Sequence, residues 1–283
     1  MIRILFFTLF VIGVTAGWAE NIRGIILDDK GAPLPYASVC VKHRGVGCLS
    51  DSLGRFDLKG RRILPDDTLT VSYIGYEPFE VVIKEIDGEN KGRVMLSSLA
   101  TKLNEVIVYP SGKIKKKTKG KKHEWALIKS YLDGEMAGEC FGYEFHAKKN
   151  KKLLLYKVGF YYCEGVRQMT KMKFRINIYD MSDVKKSPSS EFKNILSKPI
   201  YFDYVYNGLP SGKYEYILPE SIMLPDRAMV EIEFLENLND EVFWFKSNWF
   251  GKRTWSKSII DGEWEKNPFA APFFIECVEV REK

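Results

Sequence analysis

The sequence predicts an all-β protein made of two successive β-sandwiches, the second of jelly-roll type. Three observations carry that expectation. From residue 20 to 110 the chain reads as short runs rich in Val, Ile, Leu and aromatic residues, broken at regular intervals by Gly, Pro and Asp. Beyond residue 124 apolar and polar residues alternate with the period of a half-buried strand. Between the two lies SGKIKKKTKGKKH, whose lysines are too dense to pack and mark a solvated junction. A chain of 283 residues has room for two ordinary domains, and 45% hydrophobic content is enough for a real core in each.

The chain opens MIRILFFTLFVIGVTAGWAE. Arg3 and the amino terminus give positive charge, residues 4–14 are apolar, and Gly17-Trp18-Ala19 supplies the small residues of a cleavage site. Residues 1–19 therefore read as a secretory signal peptide, the apolar run being shorter than the roughly 20 residues a bilayer span needs. An exported protein is kept from nucleic acid, so the net charge of +6 points elsewhere.

In the first unit, residues 20–110, the expected strands are NIRGIILD, ASVCVKH, GCLSD, RFDLKG, LTVSYIGYEP, EPFEVVI, RVMLSSL and LNEVIVYP. Asp28-Asp29-Lys30-Gly31 and Asp51-Ser52-Leu53-Gly54 are turns, in which the aspartates cap backbone amides. Pro33 and Pro35 hold an extended edge. Asp51-Ser52-Leu53 offers too few oxygens for a calcium loop. Cys40 and Cys48 flank the turn near Arg44 and are the candidate disulfide across that hairpin, with two free buried thiols as the alternative. None of the five cysteines shows the close CxxC spacing of a zinc or redox site.

The order GIILDDKGAPLPYASVCVKHRGVGCLSDSLGRFDL, then LTVSYIGYEPFEVVI, then LNEVIVYP resembles the carboxypeptidase regulatory-like domain, over residues 22–108. The resemblance rests on Gly31 with Pro33-Leu34-Pro35, Ala37-Ser38-Val39, Asp51 with Gly54 and Phe56, and Ser72-Tyr73-Ile74-Gly75-Tyr76. It implies a transthyretin-like β-sandwich without peptidase activity. Such domains are common in exported proteins of Bacteroidetes-type bacteria, often ahead of an outer-membrane transporter barrel. Gly47-Cys48 departs from the usual glycine-threonine.

Residues 111–123 are expected to be a lysine-rich linker. Lys113, Lys115, Lys116, Lys117, Lys119, Lys121 and Lys122 are the candidates for peripheral contact with an anionic membrane surface. In residues 124–283, EWALIKSYLD opens as a short helix or a strand, and strand-like segments follow to the end. In KFRINIYD, Phe174, Ile176 and Ile178 share one face; in AMVEIEF, Val230, Ile232 and Phe234 do, which turns Glu231 and Glu233 to water. This unit resembles a C-terminal β-domain of related envelope proteins for which no activity is implied.

Chemistry is hard to find. His123-Glu124-Trp125-Ala126-Leu127 has leucine where the HExxH zinc motif needs its second histidine. Gly208-Leu209-Pro210-Ser211-Gly212 is a turn, not a nucleophile elbow. No catalytic, cofactor or metal set is legible, though carboxylates from distant strands could still pair as in a glycosidase. The aromatic residues of the second unit are the candidate ligand-binding set: Trp249, Trp255 and Trp264 with Tyr204 and Tyr206. The sequence therefore predicts a non-catalytic envelope protein whose partner is an envelope protein or a glycan. The alternatives are a carbohydrate-binding accessory protein using those rings, and a cryptic hydrolase.

Overall fold

The computed structural model describes residues 21–60, 63–86, 92–99, 115–120, 128–133, 136–148, 151–167, 170–182, 192–236, 241–247, 254–259, 264–268 and 272–281. Strands dominate them, and no α-helix occurs among them. The first unit holds β1 (Asn21–Asp28), β2 (Ser38–Val41), β3 (Val46–Leu49), β4 (Arg55–Lys59), β5 (Thr68–Ser72), β6 (Phe79–Val82), a single 3-10 turn (Ile83–Glu85) and β7 (Arg93–Leu96). They form two sheets, ordered β4-β1-β7 and β3-β2-β5-β6, with β1 and β7 parallel and the other pairs antiparallel. Alternate residues point inward as a sandwich requires: Ile22, Ile26, Val39, Val41, Phe56, Leu58, Leu69, Val71, Val94 and Leu96 make one core. The two aspartate turns are as expected. Asp28 Oδ1 accepts from the amides of Lys30 and Ala32, and Asp51 Oδ1 from those of Leu53 and Arg55. The segment LNEVIVYP lies outside the described residues.

Cys40 and Cys48 are free thiols, which corrects the expected bridge. In the β2–β3 ladder Cys40 lies opposite Gly47, and Cys48 lies opposite Val39. Directly opposed residues share a face and neighbours along a strand alternate, so the two sulfurs project to opposite faces of the hairpin.

The second unit holds β8 (Lys115–Gly120), β9 (Ile128–Asp133), β10 (Cys140–His146), β11 (Lys151–Cys163), β12 (Lys171–Asp180), β13 (Lys193–Asn194) and β14 (Ile200–Val205). It continues with β15 (Ser211–Leu224), β16 (Arg227–Phe234), β17 (Val242–Ser247), β18 (Thr254–Lys257), β19 (Glu265–Asn267) and β20 (Phe273–Arg281). One sheet runs β13-β12-β16-β10-β18-β19, with β14 also on β12. The other runs β8-β20-β11-β17-β9, with β15 also on β11. From β14 to β18 the chain crosses between the sheets at every step. Their facing sides form a large core in which Phe160 touches the rings of Phe174, Tyr204, Tyr214 and Phe243 at centroid distances of 5.1–5.6 Å.

The lysine run is not a free linker along its described part. Lys115–Gly120 is β8, paired with β20 from Phe274 to Glu279. The backbone gains a full ladder there, and the edge position lets the ammonium groups reach water. Lys113, Lys121 and Lys122 lie outside the described residues.

Tyr204 sits in the middle of the core, 1% exposed, and its buried hydroxyl has no hydrogen-bond partner among the described residues. A buried orphan hydroxyl costs on the order of 1–3 kcal/mol. Tyr204→Phe is therefore expected to raise the urea unfolding midpoint, by about 1 kcal/mol in stability. A fall would show that the hydroxyl holds a partner.

Candidate functional site

The chemically richest region is the outer face of the β12–β16–β10–β18 sheet. Its strand registers set side chains in rows, because directly opposed residues share a face. One row runs Arg175, Glu233, Cys140, Lys257. The next runs Asn177, Glu231, Gly142, Trp255, and a third runs Tyr179, Met229, Glu144. The expectation that Glu231 and Glu233 face water is corrected: they are 1% and 4% exposed. The cause is a cover. The first unit lies over Arg175 and Tyr201, while Phe192 and Trp264 pack against Tyr179 and Trp255.

Burying these charges is tolerable only if they are paired and hydrogen-bonded. Arg175 grips Glu233 bidentately, Nε to Oε2 and Nη2 to Oε1, both at 2.8 Å. Asn177 Nδ2 donates to Glu231 Oε1 at 2.8 Å and Glu233 Oε2 at 3.0 Å, and Asn177 Oδ1 accepts from Asn194. Burial first, and the charge of Glu233 second, push the Glu231 carboxyl above its ordinary value. The same burial pushes the Cys140 thiol well up. At the next row Glu144 accepts from Arg227 Nε at 2.7 Å and Trp255 Nε1 at 3.1 Å, and lies 2.8 Å from His146 Nε2. Burial alone would raise this carboxyl; these hydrogen bonds outweigh it and hold it below the ordinary 4.5.

The third hydrogen bond of Arg175 leaves its own unit. Nη1 donates to the backbone oxygen of Tyr36 at 2.6 Å. Tyr36 has φ 58°, a left-handed conformation uncommon for a bulky residue. Its hydroxyl donates to Glu236 at 3.3 Å, and its ring meets Tyr201 edge-on at 5.7 Å. Tyr201 in turn donates to the Pro35 oxygen and shares a hydrogen bond with Tyr73 at 3.1 Å. Two glycines complete the joint by close approach. A Cβ at Gly75 would lie 2.1 Å from the Ser197 oxygen, and one at Gly47 would lie 2.4 Å from the Ile259 oxygen.

The expected aromatic platform is not where the sequence put it. Trp255 and Trp264 are 3% and 5% exposed and pack with Phe192, and Tyr204 is in the core. Tyr206 is half-buried against that core, and Trp249 lies outside the described residues. The rings near the surface are instead Tyr131 and Trp244, opposed on β9 and β17 with centroids 5.2 Å apart. Tyr131 is 49% exposed, neighbouring Val166 is 76% exposed, and Val166 accepts from Trp244 Nε1 at 3.3 Å. A narrow crevice between the sheets is walled largely by Phe141, Phe160, Phe174, Phe243, Phe245 and Phe273, which bring no group for chemistry.

Sequence reading missed Arg175, Asn177 and Cys140. The signal was present: R-x-N on one strand and E-x-E on another, each interleaved with apolar residues, are complementary sets on one sheet face.

Residues 22–108 match the CarboxypepD_reg-like domain family. Over 96 residues the chain is 33% identical to the TonB-dependent receptor SusC of Bacteroides thetaiotaomicron. The shared stretch is 34% of this chain and 9% of the receptor.

Arg175→Met leaves Glu233 buried and unpaired, which should cost about 3–5 kcal/mol. Adding Glu233→Gln should recover most of it, and urea unfolding of the single and double variants measures the difference. Glu144 gives a pH test. Its folded pKa is depressed, so its contribution is complete above the unfolded value near 4.5 and is lost as pH falls through the folded value. Wild type should exceed Glu144→Gln by roughly 1–3 kcal/mol at pH 7, with the gap closing as the pH falls below the unfolded value near 4.5 and through the lower folded one.

Proposed function

We propose that the chain is a non-catalytic, exported cell-envelope protein that serves as a structural or protein-interaction module. The observation that carries this reading is the match of residues 22–108 to a domain also present in a TonB-dependent receptor. The site geometry supports it. Arg175, Glu233 and Asn177 spend their hydrogen bonds on one another, on Glu231 and Asn194 and on the first unit, and Glu144 spends its own on Arg227, Trp255 and His146. Such groups hold a joint; a nucleophile or general acid would have to face a substrate. The amino-terminal apolar run supports export.

A second reading, glycan binding, is favoured by the exposed Tyr131 ring, packed on half-buried Trp244, since exposed rings stack on the apolar faces of sugars and enrich contact surfaces. The two readings share this surface and differ in its occupant.

A photo-reactive amino acid at Tyr131 in the producing cell separates them. Cross-linking to a discrete envelope protein supports the interaction module. Cross-linking to none, with a saturable fluorescence change on polysaccharide addition, supports the glycan reading. In either case Tyr131→Ala should weaken binding at least tenfold while leaving the unfolding midpoint within about 0.5 kcal/mol of wild type, since it removes an exposed ring.

A further inference from the structure

We infer that Cys140, Glu231 and Glu233 form a binding site for one divalent transition-metal ion of borderline softness, zinc being the type. The sulfur and one carboxylate oxygen from each glutamate lie within 4.8 Å of one another, and all three residues are buried. The independent pointer is Glu231 Oε2, which is buried and has no hydrogen-bond partner among the described residues, on a side chain 1% exposed. The other oxygen of that carboxylate is fixed by Asn177, so the orphan is held in place.

The surroundings fit a metal. Carboxylate ligands are oriented by outer hydrogen bonds, and here Asn177 bridges both carboxylates while Arg175 fixes Glu233. On the far side Met181, Met229, Trp255 and Trp264 pack with Cys140 in an apolar layer that keeps water away.

Charge decides between metal classes. A thiolate with two carboxylates carries three negative charges; Arg175 and a divalent cation cancel them. Half-exposed Lys257, opposite Cys140, adds a positive charge toward solvent over Trp264. One sulfur with two oxygens suits zinc and disfavours magnesium or calcium, which take oxygen alone. Binding requires the thiolate, so one thiol proton leaves with it.

The test uses cobalt as a spectroscopic stand-in on the chelator-treated full chain. One equivalent of Co(II) should bind and give a thiolate-to-metal charge-transfer band, with zinc displacing it. Cys140→Ser should abolish the band, and Glu231→Gln should weaken binding at least tenfold. Should a variant fail to fold, alkylation of wild type with peptide mapping replaces it: zinc should slow modification of Cys140 and not of Cys40 or Cys48. Absence of the band in wild type, its retention in Cys140→Ser, unchanged affinity in Glu231→Gln, or equal protection of all thiols would each overturn the site.

Discussion

The guanidinium of Arg175 is the constraint on which the rest of the structure depends. It is 4% exposed, and a charge so far from water is stable only when it is paired and hydrogen-bonded. Glu233 takes two of its hydrogen bonds within the sheet, and the Tyr36 oxygen takes the third from the other unit. Separating the two units would strip that last acceptor and open the ion pair to solvent. The way the first unit seats on the second is thus tied to the electrostatics of the second unit's own sheet.

Tyr36 shows the same coupling from the other side. A left-handed backbone costs on the order of 1–2 kcal/mol for a residue with a Cβ. It persists because both its backbone groups and its hydroxyl are held: the amide by the Ser50 oxygen at 3.1 Å, the oxygen by Arg175, the hydroxyl by Glu236. Only the first of these partners belongs to the first unit. The conformation that sequence alone would assign to glycine is sustained by the neighbouring sandwich.

Most of the architecture was legible because it follows from local periodicity. The turns at Asp28 and Asp51 use side-chain chemistry that acts over four residues, and the inward sets of Phe174, Ile176 and Ile178 or Val230, Ile232 and Phe234 follow from alternation. The failures share one physical cause. Alternation says which residues share a face and is silent on whether the second face is wet. Glu231 and Glu233 look solvent-facing until the first unit and the Phe192–Trp264 layer cover their sheet face. Trp255 and Trp264 look like a surface platform until Phe192 packs across them. Cys40 and Cys48 look opposed until the hairpin register moves by one residue, which exchanges faces.

The lysine strand obeys the same logic and gives it a different outcome. In β8, Lys117 lies opposite Cys277 and Lys119 opposite Ile275, so both share the face that carries core residues of β20. Charges turned inward at a sheet's edge prevent another strand from adding there. Lys115, opposite Glu279, continues that row, and Lys115 foremost among its like-charged neighbours lowers the pKa of Lys117. On the other face Lys116 lies over the Tyr156 ring, 5.8 Å from its centroid. A flexible polybasic linker would let each ammonium find its own counter-ion. A strand fixes them in a ladder, with every second residue about 6.8 Å along the chain. Whatever anion this edge meets encounters a row of set spacing, so its strength of contact depends on geometry as well as on charge. The composition of the lysine run accounts for its charge, and its pairing with β20 accounts for its shape.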